Sequence, residues 1–164
     1  MPRKQKFSTR QENFWFGDFG TQYINRNNDK KLLASNLNLF SKALASSRHI
    51  ASCIEFGANI GMNIRALKLL FPDMWQYGIE INPVAAAQLA TFIGDQNVFS
   101  GSLFDYDVKQ SVDLTLAKGV LIHINPDMLP IAYQKLYDAS HRYILLCEYF
   151  NPSPVVIPYR GHQD

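Results

Sequence analysis

The stretch that decides the fold is Cys53-Ile54-Glu55-Phe56-Gly57-Ala58-Asn59-Ile60-Gly61, followed by Tyr77-Gly78-Ile79-Glu80-Ile81-Asn82. In the first, an apolar run breaks into Gly-x-x-x-Gly and passes into a helical pattern, which spells strand, tight loop and helix. Gly57 and Gly61 let the backbone turn sharply and approach a ligand with no Cβ in the way. Glu80 closes the second apolar run, 19 residues past Gly61. That is near the spacing of about 20 at which an acid ending the second strand binds ribose hydroxyls. The pairing marks a site for a nucleoside-bearing ligand.

The same alternation extends in both directions. Leu33, Leu37, Phe40 and Leu44 recur at helical spacing and predict a helix over 30–46. The first strand is expected near 51–56, and the next helix over 61–71, with Ile64, Leu67 and Phe71 on one face and Pro72 as its stop. A second strand falls near 76–81. Asn82-Pro83 then offers an N-cap and a proline at the first helical position, opening an alanine-rich helix to 93. A short third strand near 97–99 ends at Gly101-Ser102, and 113–117 forms the fourth. Asn125-Pro126 repeats the capping device before a helix to 139, and Pro130 inside it foretells an irregular first turn. Tyr143-Ile144-Leu145-Leu146-Cys147-Glu148 is the fifth strand. Strands alternating with helices imply a parallel sheet covered on both faces, with expected order 3-2-1-4-5.

The 164 residues suit a single domain, 1–164, with 1–47 as a helical and aromatic cap and 48–164 as the sheet-bearing core. A hydrophobic fraction of 47% with 18% charged residues is that of a folded soluble chain. The net charge of +2 gives no electrostatic footprint for nucleic acid, and Arg3, Lys4 and Lys6 read as a solvated terminal tail. No apolar run reaches the roughly 18 residues of a membrane span and no signal peptide opens the chain. A cytoplasmic protein with neither nucleic-acid nor membrane partner is expected. Cys53 and Cys147 fall in predicted strands and are expected as buried free thiols. His49, His123, His141 and His162 are dispersed without metal-ligand spacing, so no metal is expected.

A dinucleotide fingerprint, G-x-G-x-x-G, would need glycines at 57, 59 and 62, where the chain has Gly57, Asn59 and Met62. That reading fails at two of three positions. What remains, acid-x-Gly-x-x-x-Gly with Glu55 as the acid, resembles motif I of the class I S-adenosylmethionine-dependent methyltransferases. The resemblance implies a Rossmann-like three-layer sandwich, S-adenosylmethionine as cofactor, and methyl transfer to an oxygen or nitrogen of a small molecule. It implies that the loop of Gly57, Ala58, Asn59, Gly61 and Asn63 packs on the methionine part while Glu55 orients its ammonium group. Glu80 would take the ribose, with Ile81 beside the adenine. Ser102 and Leu103 would read the adenine edge, and Lys118-Gly119 would approach the sulfonium and the acceptor. All lie at the carboxyl ends of predicted strands, where open α/β sheets bind ligands.

A narrower resemblance rests on Trp15-Phe16-Gly17-Asp18-Phe19-Gly20-Thr21-Gln22-Tyr23-Ile24-Asn25-Arg26-Asn27, Gly119-Val120-Leu121-Ile122-His123-Ile124 and Glu148-Tyr149-Phe150-Asn151-Pro152-Ser153-Pro154. With the motif I block these are similar to the pseudaminic acid biosynthesis-associated methylases, a bacterial family. It implies an acceptor among nonulosonic-acid pathway sugars and makes Tyr23 and Arg26 candidates to close over the cofactor carboxylate, where a guanidinium fork suits. A class I sheet has seven strands, whereas five are legible here and the chain ends at Arg160-Gly161-His162-Gln163-Asp164. The expectation is a chain missing its last hairpin, a monomer or a homodimer paired through the open edge of the fifth strand.

His123, alone among the histidines near the predicted active face, either fixes the loop after the fourth strand or serves as a general base. Trp15, Phe16 and Phe19 read as core aromatics before they read as a substrate lid. Tyr149, Asn151, Tyr159 and Arg160 are candidates for the acceptor pocket. Two rivals remain: a non-catalytic or truncated cofactor-binding module, and a nucleotide or NAD enzyme on a related sheet.

Overall fold

The computed structural model describes residues 7–26, 29–153 and 155. Two short helices, α1 (Arg10–Phe16) and α2 (Asp18–Tyr23), open the chain, and α3 (Lys30–Ala43) leads into the sheet. There follow β1 (Ser52–Phe56), α4 (Met62–Leu70), β2 (Trp75–Glu80), α5 (Pro83–Ile93) and β3 (Val98–Ser100). β4 (Val112–Lys118), α6 (Leu129–Asp138) and β5 (Ser140–Cys147) complete the described elements. The five strands form one sheet in the order β3-β2-β1-β4-β5, every pair parallel. The order read from the sequence is the order observed. The basic tail Arg3, Lys4 and Lys6, together with Tyr159 and Arg160, lies outside the described residues.

The central strands are buried on both faces, so β1 and β4 are covered along nearly their whole length, the polar Glu55, Asp113 and Thr115 included. Pleating splits their side chains between two cores. Cys53, Leu114 and Leu116 pack with Phe40 of α3 and with Ala66 and Leu67 of α4. Ile54, Phe56 and Ala117 face the other way, onto Tyr106 and onto Ala132 and Leu136 of α6. Glu55 shares the Cys53 face and is fully buried at 0% exposure.

The structure departs from expectation at three places. Asn125 caps only a 3-10 turn, Pro126–Met128, and α6 starts at Leu129 with Pro130 in its first turn. A helix begun at Pro126 would have put Pro130 where an interior N–H is required, and proline has none. β5 begins at Ser140, three residues early, because Val112 pairs with Ser140 across an irregular register. Both cysteines are free as expected, but only Cys53 is buried and Cys147 is half-buried. β5 is one edge of the sheet among the described residues, opposite β3, with Ile144 and Leu146 exposed beside Tyr133 and Tyr137 of α6. No helix among the described residues is long and apolar enough to cross a membrane.

Candidate ligand site at the carboxyl ends of the strands

The loop between β1 and α4 is built from left-handed residues: Gly57 at φ +74°, Asn59 at +49° and Gly61 at +82°. Asparagine is among the few side-chain-bearing residues that adopt this conformation readily. The Gly57 and Ala58 N–H groups donate to the Ile79 carbonyl at 2.8 and 3.0 Å, tying the loop to β2. A Cβ on Gly57 would stand 2.5 Å from Val120 Cγ2, so the loops after β1 and β4 touch there. Gly61 turns the chain into α4, whose amino end no side chain caps.

Two acids sit under this loop. Asn63, in the first turn of α4, donates through Nδ2 to Glu55 Oε1 at 2.5 Å. Glu55 Oε2 and Asn63 Oδ1 are both buried and have no hydrogen-bond partner among the described residues. Burial pushes the Glu55 carboxyl up to about 8; the Asn63 bond and the Lys118 charge pull against that, and Glu80 adds to it. Glu80, at 7% exposure, accepts from the Asn59 and Asn82 backbone N–H groups, each at 2.7 Å. Burial raises its carboxyl as well, against the bonds from Asn82, Asn59 and Ile81. The buried acid therefore finds partners in the chain itself. Each carboxylate oxygen keeps a second lone pair.

The amino-terminal cap lies across three of the strand-end loops. Ser102, after β3, is buried and donates to Glu12 Oε1 of α1 at 2.5 Å. Its hydroxyl is thus committed to the cap, while Leu103 beside it packs on the core. Glu12 Oε2 completes a capping box with Thr9, accepting from its N–H at 3.1 Å and its hydroxyl at 2.8 Å. Asn82, which caps α5 through Oδ1, turns Nδ2 onto the carbonyls of Trp15, Phe16 and Gly17 and onto Thr21 Oγ1. Trp15 meets the His123 ring at 4.7 Å between centroids and the Tyr23 ring at 5.1 Å. Ile24, just past α2, packs with Ile60 and Ala85. Burial holds the His123 imidazole at about 4, so it is neutral at physiological pH.

The expected site residues thus fall into three groups. Glu55, Gly57, Ala58, Asn59, Gly61, Asn63, Glu80 and Ile81 surround the β1 and β2 ends, with Lys118 and Gly119 at the end of β4. Tyr23 and His123 are drawn in through Trp15, whereas Arg26 is exposed at the end of the cap. Tyr149 and Asn151, past β5, are exposed. Sequence reading passed over Glu12, although Thr9-x-x-Glu12 is the pattern of a capping box. It also passed over Glu148, whose Oε1 accepts from the Val120 and Leu121 N–H groups at 2.9 and 3.0 Å.

Neither a protein-family model nor a curated protein matches the chain. Solved structures do. The sugar N-methyltransferase KedS8 from Streptoalloteichus aligns with a TM-score of 0.65 at 17% identity, over 83% of this chain and 55% of its own. S-adenosylmethionine-bound CalS10, an amino pentose methyltransferase from Micromonospora echinaspora, aligns at 0.61 and 14% identity over 88% of this chain and 61% of its own. The plantazolicin methyltransferase BpumL, seen with S-adenosylhomocysteine, aligns at 0.61 and 14% identity over 82% and 55%. The chain spans little more than half the length of these proteins. The likeness establishes a Rossmann-like methyltransferase fold.

Proposed function

We propose that this chain is an S-adenosylmethionine-dependent methyltransferase that methylates an oxygen or nitrogen of a small molecule. One observation carries the reading: the Glu55–Asn63 pair holds two buried oxygens with no hydrogen-bond partner among the described residues, at the first turn of a helix whose amino end no side chain caps. An ammonium group offers three donors and no acceptor, and so answers the orphaned oxygens. A carboxylate answers the free N–H groups and positive end of α4. The amino-acid end of S-adenosylmethionine carries both. A pyrophosphate, by contrast, carries only acceptors and leaves the Glu55 and Asn63 oxygens unanswered. This chemistry disfavours the NAD rival.

When bound, the cofactor supplies a methyl group activated by its sulfonium, and the acceptor's lone pair takes it to leave S-adenosylhomocysteine. The chain's own work is binding and alignment. Glu80, already fixed by Asn59 and Asn82, has lone pairs left for ribose hydroxyls. Ile81 and Leu103 offer apolar flanks to the adenine, and the backbone at Lys118-Gly119 borders the reacting end. The cap formed by α1 and α2 excludes water from above. His123, neutral and packed on Trp15, serves to fix that cap to the loop after β4 in preference to collecting a proton. Tyr23 belongs to the same closure, and Arg26 is free to reach a cofactor carboxylate.

For the acceptor we favour a sugar-like molecule, on the resemblance of the opening aromatic block and on the sugar methyltransferases among the structural neighbours. A nonulosonic-acid intermediate is the first substrate to try, in a cytoplasmic setting. Calorimetric titration with S-adenosylhomocysteine, with NAD as control, tests the reading. Micromolar binding of the former alone is expected; binding of NAD alone, or of neither, overturns it.

A further inference from the structure

Resting on that reading, we propose that Glu148 is a substrate-binding carboxylate: one oxygen holds the loop after β4, and the other receives a hydrogen bond from a hydroxyl or amino group of the methyl acceptor. Glu148 directly follows β5. Its Oε1 is doubly engaged by the Val120 and Leu121 N–H groups, while Oε2 is buried and has no partner among the described residues. Burying one half of a carboxylate unpaired is costly, and a native chain keeps such an atom where something else completes it.

The surroundings say what completes it. The Gly119 N–H donates to the Cys147 carbonyl at 2.9 Å, which sets Gly119 against the base of Glu148. Among the described residues nothing lies within 4 Å of where a Gly119 Cβ would stand, so the loop leaves space at Gly119, on the residue bonded to Cys147. Val120, whose N–H Glu148 holds, presses its side chain against Gly57, where the cofactor is proposed to lie. Glu148 therefore stands one strand-end loop away from the proposed cofactor position, next in sequence to the residue that Gly119 holds. A bare carboxylate oxygen accepts and cannot donate. It selects for an acceptor bearing O–H or N–H groups, a polyol or amino sugar, and against one with only ether or carbonyl oxygens. An ammonium on the acceptor would add a charge-assisted bond.

Glu148→Gln isolates the free oxygen. Its amide oxygen can still accept from Val120 and Leu121, while its NH2 puts donors where Oε2 stood. The probes are glucosamine and, as control, fully O-methylated methyl glucoside, which keeps the ring and has no donors. Binding is followed by NMR on the protein saturated with S-adenosylhomocysteine, whose own affinity is measured first. The wild type is expected to bind glucosamine and not the control. The variant is expected to bind S-adenosylhomocysteine as before and glucosamine at least about tenfold more weakly, the loss typical of a hydrogen bond to a charged group. In the wild type the Glu148 side-chain carboxyl resonance should also move on saturation with glucosamine, which decides the matter if the variant does not fold. Equal binding to both proteins, no binding to the wild type, or a carboxyl resonance that stays put overturns the assignment. Failure of the wild type to bind S-adenosylhomocysteine is a separate result, and it strikes the cofactor reading itself.

Discussion

Glu12 and Ser102, 90 positions apart, share a 2.5 Å hydrogen bond that fastens the first helix to the loop after β3. Asn82 fastens the same cap to the end of β2, and Trp15 fastens it to the turn after β4. The cap is thus stitched to three loops at the carboxyl end of the sheet.

Replacing Glu12 with alanine should lower thermal stability and weaken S-adenosylhomocysteine binding together. Loss of the capping box alone is worth about 1 kcal/mol. Ser102→Ala should cost less, and the double variant should fall short of the sum, since each single change already breaks the shared bond. Melting curves and calorimetry on the four proteins provide the cycle. Strict additivity would mean that the two side chains do not act as a latch.

Gly57→Ala and Gly119→Ala should separate backbone strain from crowding. Both positions are left-handed, at φ +74° and +66°, so each substitution carries a conformational penalty, about 1–2 kcal/mol. Only the Gly57 Cβ collides, 2.5 Å from Val120 Cγ2, whereas a Gly119 Cβ meets nothing within 4 Å among the described residues. The first variant should therefore melt lower than the second and lose cofactor affinity as well.

Affinity for S-adenosylhomocysteine should rise with pH toward about 8, because burial keeps the Glu55 carboxyl protonated below that point and an ammonium partner requires it ionised. Binding then releases a proton, measurable as a buffer-dependent heat. Stability of the free protein should run the other way. A carboxyl raised above its unfolded value contributes most below about 4.5 and loses that contribution as pH climbs to about 8. Glu55→Gln should flatten both slopes.

The His123 imidazole should show no NMR titration between pH 5 and 8, since burial has moved its midpoint to about 4. Trp15→Ala, by opening the ring to water, should bring the midpoint back toward 6.5. A wild-type midpoint already near 6.5 would mean that the cap does not shield the ring.

The core elements were legible because their signals are local. The largely apolar segments 53–56 and 114–117 and the Asn82-Pro83 start of α5 each declare themselves within a few residues. The loop glycines were equally plain, as was Glu80 in register with them. The two short helices of the cap were not, because Phe14-Trp15-Phe16 gives a block of aromatics with no helical period, and α1 and α2 are only 7 and 6 residues long. Ser102 was read as facing a ligand, and nothing near it in sequence discloses that Glu12 reaches its hydroxyl. The early start of β5 likewise depends on a partner, Val112, and not on Ser140, His141 or Arg142.

The stitching of the cap also bears on the order in which the chain assembles. Its anchors are Asn82, Ser102 and His123, and none of them exists as a docking point until the sheet has brought the strand ends side by side. Contacts of such long sequence separation form late, after loop closure has been offset by local structure. The cap, made before the strands it docks on, is then the last to settle, and until it does, its aromatic rings stand bare to solvent or to a chaperone.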